Sequence, residues 1–348
     1  MESIAVNTPS GQYTISFGPQ IWKQMEDFAA SFGQVLVVSD TNVAPLYGAR
    51  LPFPISVLEP GEEQKSLSTI STLINDWSER ELDRNSLVIA LGGGVIGDLV
   101  GFAASIYRRG IAYVQIPTTL LAQVDSAVGG KTGVNTSYGK NLIGTFYQPR
   151  AVFIDPEVLR TLPEREVTSG LGEVFKYGII ADPFLFELVQ AKVASFYNLE
   201  PLVVTDVLRR CLAIKAQIVE EDEKEGGLRK ILNHGHTFGH ALEQATDYRI
   251  FKHGEAVLVG MVLEARLAHA LGMLSRSQLT QIEEALFRVK LDYSFTSLPR
   301  QQILAALRQD KKNRQGKISF ILPQELGEVE EVLLELTEVE QLWKEVVS

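Results

Sequence analysis

SLVIALGGGVIGDLVGFAA, residues 86–104, runs from a strand through a glycine turn into a helix. The opening run, SLVIAL, is almost wholly apolar, which is how a strand buried on both faces reads. Gly92, Gly94 and Gly97 follow in G-x-G-x-x-G spacing. Such glycines let a backbone approach a pyrophosphate, and the helix that follows offers N–H groups and the positive end of its dipole. The pattern departs from the usual dinucleotide fingerprint in two ways. That fingerprint expects an acid about 20 residues on, yet RRGIAYVQIPTT (108–119) contains none. Nor does the loop follow the first strand of the alternation. Asp40, which ends QVLVVSD (34–40), is therefore the candidate for an adenosine ribose. Asp98 would repel phosphate, so it is expected to face elsewhere, towards a nicotinamide ribose or carboxamide.

Outward from this stretch, strands alternate with amphipathic segments. QVLVVSD, SLVIALGGG, IAYVQIP (111–117) and AVFIDP (151–156) read as strands, and SLSTISTLINDWSER (66–80) as a helix between two of them. This rhythm predicts βαβ units and a mostly parallel, Rossmann-like sheet. Beyond residue 157 it stops. EVTSGLGEVFKYGII, FLFELVQAKVASFY, VVTDVLRRCLAIKAQIVEEDEKE, HTFGHALEQAT and GEAVLVGMVLEARLAHAL all read as helices, the last ending before Gly272. KISFIL (317–322) reads as a short strand. The expected organisation is an α/β domain over 1–155 and a mostly α-helical domain over 156–348.

Composition narrows the class. The chain is 45% hydrophobic and 22% charged, as ordinary globular proteins are. Its net charge of −10 removes a bulk electrostatic case for nucleic-acid binding. One cysteine, Cys211, forbids an intramolecular disulfide and fits a reducing, cytoplasmic setting. The N-terminus does not resemble a signal peptide, and no apolar run reaches the length of a membrane span.

Two further features point to a site. QVDSAVGGKTGVNTSYGKN (123–141) sets Asp125, Lys131, Lys140 and Asn141 in a glycine-rich segment without helical periodicity, suited to holding a carboxylate or phosphate. All five histidines lie within residues 234–269. His236 and His240 are four apart, which puts them on one helix face as a possible zinc pair. One of them together with His253 and an acid is the alternative. Glu173, among glycines and one turn before Lys176, is the candidate acid.

GGGVIGD (92–98), IPTTLLAQVDSAVGGKTGVN (116–135), GKNLIGTFYQP (139–149), SGLGEVFKYG (169–178), LNHGHTFGHALE (232–243) and HGEAV (253–257) occur in this order. Together they resemble the 3-dehydroquinate synthase family of sugar phosphate cyclases, from about Asp40 to DKKN (310–313). The resemblance implies that family's fold and a divalent metal, zinc or cobalt, held by Glu173, His236 and His253, with His240 turned to the substrate. It implies NAD⁺ as a recycled cofactor lined by Asp40, Asn42, Glu62, Lys65, Gly94, Val95, Gly97, Asp98, Thr118, Thr119, Lys131, Lys140 and Thr161.

The implied substrate is 3-deoxy-D-arabino-heptulosonate 7-phosphate, converted to 3-dehydroquinate in the shikimate pathway. The steps are transient oxidation, β-elimination of phosphate, reduction, ring opening and intramolecular aldol closure. Lys131, Asn141, Lys176, Lys215, Arg229, Asn233, His240 and Lys312 (or Lys311) match the substrate-binding positions. Asp125 and His240 match proton-relay or metal-water positions. Arg109 matches an arginine that reaches the phosphate across a homodimer interface. NTSYGKN (135–141) departs from the family's more usual proline-containing form, and His234 is a variable position for which no role is implied.

Three other readings compete. A metal-dependent polyol dehydrogenase would consume NAD⁺ stoichiometrically and would not need Lys131, Lys140, Lys176, Lys215 and Arg229. A cyclase acting on sedoheptulose 7-phosphate or glucose 6-phosphate has no substrate carboxylate for Lys176, Arg229 and Asn233. A non-catalytic protein would have lost its ligands.

Overall fold

Strands whose residues are apolar on both faces need cover on both faces, and the first half of the chain supplies it. A computed structural model of the protein describes residues 2–293, 299–309 and 316–347. Its elements run β1 (Glu2–Thr8), β2 (Gly11–Phe17), α1 (Ile21–Ala29), β3 (Gln34–Asp40), α2 (Ala44–Tyr47), β4 (Ile55–Leu58), α3 (Leu67–Glu79), β5 (Ser86–Gly92), α4 (Gly94–Ile106), β6 (Ala112–Pro117), β7 (Lys131–Thr136), β8 (Gly139–Phe146) and β9 (Ala151–Ile154). They continue α5 (Glu164–Ile180), α6 (Pro183–Tyr197), α7 (Pro201–Glu221), α8 (His236–Ala245), α9 (His253–Ala270), α10 (Arg276–Leu286), α11 (Arg300–Gln309), β10 (Lys317–Glu325), β11 (Glu328–Glu335) and α12 (Leu336–Val347).

The described residues divide into two compact units. One is Met1–Leu162 with Val204–Lys224, and the other is Pro163–Val203 with Glu225–Ser348. The first holds a seven-stranded sheet in the order β1-β2-β9-β6-β5-β3-β4. The β1–β2 pair is antiparallel and every other pairing is parallel. Along β3 and β5 alternate residues serve opposite faces. Leu36, Val38, Val88 and Ala90 pack with Leu73 and Trp77 of α3 and Leu99 of α4, while Val37, Leu87 and Ile89 pack with Ile21 and Met25 of α1. That two-sided burial is the physical reason the runs read as continuous apolar stretches. Ser66 caps α3, its hydroxyl accepting from the Thr69 N–H at 3.2 Å.

A single division near residue 155 does not describe where α7 goes. Leu212, Ala216 and Val219 of α7 share a core with Ile15, Val152 and Ile154, so this helix belongs to the first unit. Helical periodicity shows that a helix has an apolar face but not which core receives it. The glycine-rich 123–141 segment is likewise not a simple loop. It holds a π-helical turn, Ala122–Ser126, and then the strands of an antiparallel hairpin, β7 with β8.

The second unit packs α5, α6 and α8–α12 with the β10–β11 hairpin. Gly272 follows α9 at φ 76°, the left-handed stop expected there. Two glycines set the α5–α9 crossing. A methyl group on Gly254 would lie 1.7 Å from the Ser169 carbonyl oxygen, and one on Gly172 would lie 2.3 Å from the Gly254 carbonyl oxygen. Only glycines permit that approach. No helix among the described residues is long and apolar enough to cross a membrane.

Candidate active site

The glycine crossing has a chemical result, because Glu173 follows Gly172 and His253 precedes Gly254. Glu173 is buried on α5, His236 opens α8 and His253 opens α9. The Nε2 atoms of His236 and His253 each stand 3.5 Å from Glu173 Oε1. One ligand atom from each of the three residues falls within 4.8 Å of the others. The far sides of the rings are also held. His236 Nδ1 is 3.0 Å from the His234 carbonyl oxygen, and His253 Nδ1 is 3.5 Å from Glu243 Oε2. With Nδ1 given to an acceptor, each Nε2 faces inward, and its lone pair becomes available to a metal once the ring is uncharged, which is how metal-ligating histidines are oriented. One carboxylate and two imidazoles fit zinc or cobalt.

His240 completes a cluster of three imidazoles, its ring centroid 5.4 Å from that of His236 and 5.8 Å from that of His253. His240, Glu243 and His253 form a second group with metal-ligand spacing. Both groups contain His253, and neither contains the His236–His240 pair that helical spacing alone suggests. For the uncharged ring of His253 to bind metal, a proton must leave. Burial works to lower its pKa, but hydrogen bonds and charge from Glu173 and Glu243 outweigh burial and raise it to about 10.

Lys176 is buried on the same face of α5 and donates to Glu173 Oε2. Arg229, also buried, and Asn233 sit on the turn Leu228–Asn233, with the Asn233 Nδ2 donating to Glu225 Oε1 at 2.7 Å. Lys311 and Lys312 lie outside the described residues.

In the first unit, residues distant in sequence gather at the carboxyl ends of the parallel strands. Asp40 ends β3, Glu62 and Lys65 follow β4, Gly94, Val95, Gly97 and Asp98 follow β5, Thr118 and Thr119 follow β6, and Thr161 follows β9. Ligands of open α/β sheets bind along that edge. Asp40 Oδ1 accepts from the Asn42 and Val43 N–H groups at 2.9 Å, which fixes the turn after β3. Lys65 Nζ is 2.7 Å from Asp98 Oδ2, 2.7 Å from Asn141 Oδ1 and 3.7 Å from Glu62 Oε1. Burial pushes the Asp98 carboxyl above its ordinary range, and the Lys65 ammonium opposes that rise. Burial also disfavours the Lys65 ammonium, but Asp98 and Glu62 outweigh it and hold its pKa above the ordinary value.

The hairpin carries exposed Lys131, half-buried Lys140 and exposed Asn141. Asn135 ties it to the loop after β4. Its side chain donates to Glu62 Oε1 at 2.8 Å, its Oδ1 accepts from the Asn141 N–H at 2.9 Å, and its own N–H donates to the Lys65 carbonyl at 2.7 Å.

Lys215 of α7 reaches Asp125, with Nζ 2.8 Å from Oδ1. Arg109 stands apart from the carboxyl-end residues of its own unit. It ends the turn before β6, at the amino edge of the sheet, and lines a cavity of about 440 Å³ with Asp83, Arg84, Asn85 and Arg108. Sequence reasoning missed Asn135 and Glu243. Glu243 alone carried a signal, lying one turn after His240 on the face with metal-ligand spacing.

Comparison with known proteins gives the following similarities. The family described as 3-dehydroquinate synthase N-terminal matches residues 55–169, and its C-terminal counterpart matches 170–313. A 3-dehydroquinate synthase from Alkaliphilus metalliredigens is 46% identical, covering 96% of each chain. One from Nostoc punctiforme is 45% identical, covering 94% of each. Among solved structures, a 2-epi-5-epi-valiolone synthase from Streptomyces hygroscopicus subsp. jinggangensis with NAD⁺ and Zn²⁺ bound superposes with a TM-score of 0.88 at 30% identity, covering 96% of each chain. A 2-deoxy-scyllo-inosose synthase complexed with carbaglucose-6-phosphate, NAD⁺ and Co²⁺ gives 0.84 at 27% identity, covering 98% of this chain and 99% of that one.

Proposed function

The chain belongs to the 3-dehydroquinate synthase family, and from that premise we propose that it converts 3-deoxy-D-arabino-heptulosonate 7-phosphate to 3-dehydroquinate and phosphate. It is a carbon–oxygen lyase of the shikimate pathway that uses NAD⁺ and a divalent metal. The observation that carries the substrate choice is the gradient of identity. It is 46% over 96% of the chain to a dehydroquinate synthase, against 30% and 27% to cyclases that make valiolone and inosose products.

Glu173, His236 and His253 are the proposed metal ligands. Asp40, Asn42, Glu62, Lys65, Gly94, Val95, Gly97, Asp98, Thr118, Thr119, Lys131, Lys140 and Thr161 are the proposed dinucleotide site. When bound, the metal makes a substrate hydroxyl easier to ionise and NAD⁺ takes and returns a hydride. The side chains supply position and charge. Lys65 offsets the Asp98 charge, so that Asp98 accepts hydrogen bonds near the nicotinamide without a net anion beside it. Lys131, Asn141, Lys176, Lys215, Arg229 and Asn233 hold the carboxylate, phosphate and hydroxyls of the substrate, with Lys312 or Lys311 as a further cation. Asp125 and His240 relay protons.

Arg109 supports a homodimer. It lies on the opposite edge of the sheet from the proposed dinucleotide residues of its own unit, which fits the family resemblance, in which the matching arginine reaches a phosphate bound by the partner subunit. The single, buried Cys211 supports a cytoplasmic setting.

A substrate panel tests the reading. With NAD⁺ and zinc present, phosphate release is expected from the heptulosonate phosphate and not from sedoheptulose 7-phosphate or glucose 6-phosphate. Release from either of the latter overturns the substrate assignment.

A further inference from the structure

His234 is the one histidine of the NHGHTFGH stretch to which the proposed chemistry gives no task, yet it is fully buried. Its Nδ1 lies 2.8 Å from the Ile321 carbonyl oxygen of β10 and 3.2 Å from Glu264 Oε2. Both neighbours are acceptors, so Nδ1 carries the proton. Glu264, on α9, is fully buried as well. Its Oε2 accepts the Gly235 N–H at 2.6 Å and its Oε1 accepts the Thr237 N–H at 3.2 Å.

These amides belong to the N-terminus of α8. The residue at the cap position is Gly235, at φ 79°, which has no side chain with which to cap. A Cβ there would lie 2.5 Å from Met261 Cγ and 2.9 Å from the Val257 carbonyl oxygen of α9. The close approach that demands glycine thus removes the ordinary capping group, and Glu264 supplies it from the facing helix. A carboxylate is favoured at that positive end.

His236 sits between the two amides that Glu264 holds. Its ring is fixed in turn by the His234 carbonyl oxygen at 3.0 Å. The ring of His234, held by Ile321 and Glu264, keeps that carbonyl in place. We propose that Glu264 and His234 are a buried positioning pair that sets the orientation of His236 and so tunes the affinity of the Glu173–His236–His253 metal site. This inference rests on the reading of those three residues as metal ligands.

The test uses the full chain stripped of metal, with Glu264→Ala and the conservative Glu264→Gln. Zinc affinity, the visible absorption bands of the cobalt-loaded protein, and melting temperatures with and without zinc are measured. Loss of such a supporting contact typically weakens metal binding at least tenfold. Glu264→Ala is expected to show that loss, altered cobalt bands and a smaller zinc-induced rise in melting temperature. Glu264→Gln, which keeps an acceptor for one amide, recovers part of each. Should the alanine variant not fold, the glutamine variant decides, with a loss of a few-fold or more expected. Equal drops in melting temperature with and without zinc, at unchanged affinity and unchanged cobalt bands, overturn the proposal by showing a merely structural role. Glu173→Gln in parallel separates the premise from the inference. Wild-type zinc affinity in that variant sinks the ligand assignment, whereas its loss there alongside full affinity in Glu264→Ala sinks only the positioning pair.

Discussion

Lys65 and Asp98 form an ion pair, Nζ to Oδ2 2.7 Å, across the carboxyl edge of the sheet. The acid that follows the glycine loop is therefore matched by a cation from the loop after β4, which removes the objection to a carboxylate beside a dinucleotide. Replacing Lys65 with methionine leaves Asp98 facing the bound cofactor without that cation. The expected cost is about 2 kcal/mol of NAD⁺ binding, roughly thirtyfold in Kd. Adding Asp98→Asn to Lys65→Met is expected to recover part of it, a coupling that calorimetry on the four proteins measures.

Gly254→Ala is expected to separate α9 from α5. The added methyl would sit 1.7 Å from the Ser169 carbonyl oxygen, a backbone atom that cannot swing aside. The cost to stability is about 1–3 kcal/mol or more. Because His253 and Glu173 flank this crossing, zinc binding falls with it. Chemical denaturation and zinc titration on the same preparation check both halves.

The proton on His253 sets a pH dependence. In the metal-free protein its pKa is raised from 6.5 to about 10. Its contribution to folding stability is therefore fully present below about pH 6.5 and lost as pH rises towards 10. Zinc must displace the same proton, so apparent affinity is expected to rise by roughly tenfold per unit between pH 7 and 9, with about one proton released per zinc. Calorimetry in buffers of different ionisation heat counts that proton.

Lys215→Met tests the tie between α7 and the Asp125 turn. It removes a buried ammonium 2.8 Å from a carboxylate that keeps some contact with solvent. The expected destabilisation is about 2–3 kcal/mol, below the full cost of breaking a wholly buried pair. Urea unfolding of the variant reads it, and kcat falls in parallel if Lys215 also holds substrate.

The strands β3, β5, β6 and β9 are legible in the sequence because burial on both faces writes a continuous apolar run. The hairpin β7–β8 is not, since Asn135 and Asn141 are placed by contacts with Lys65, Glu62 and each other rather than by periodicity. The placement of α7 is equally hidden, because a helical stripe does not name its partner. At the metal site, spacing points to His236 with His240, two residues on one helix face. The geometry gathers Glu173, His236 and His253 from three helices, the alternative that the residues leave open and that the family resemblance selects. Glu264 leaves no local trace, as its meaning depends on amides of another helix.

The most direct measurement follows the heptulosonate phosphate, incubated with the zinc-loaded protein and a trace of NAD⁺, by phosphate release, 3-dehydroquinate formation and absorbance at the NADH band. The account predicts phosphate and dehydroquinate in equal amounts, many turnovers per NAD⁺ and no net NADH. Accumulating NADH without phosphate release, or no turnover at all, would contradict it.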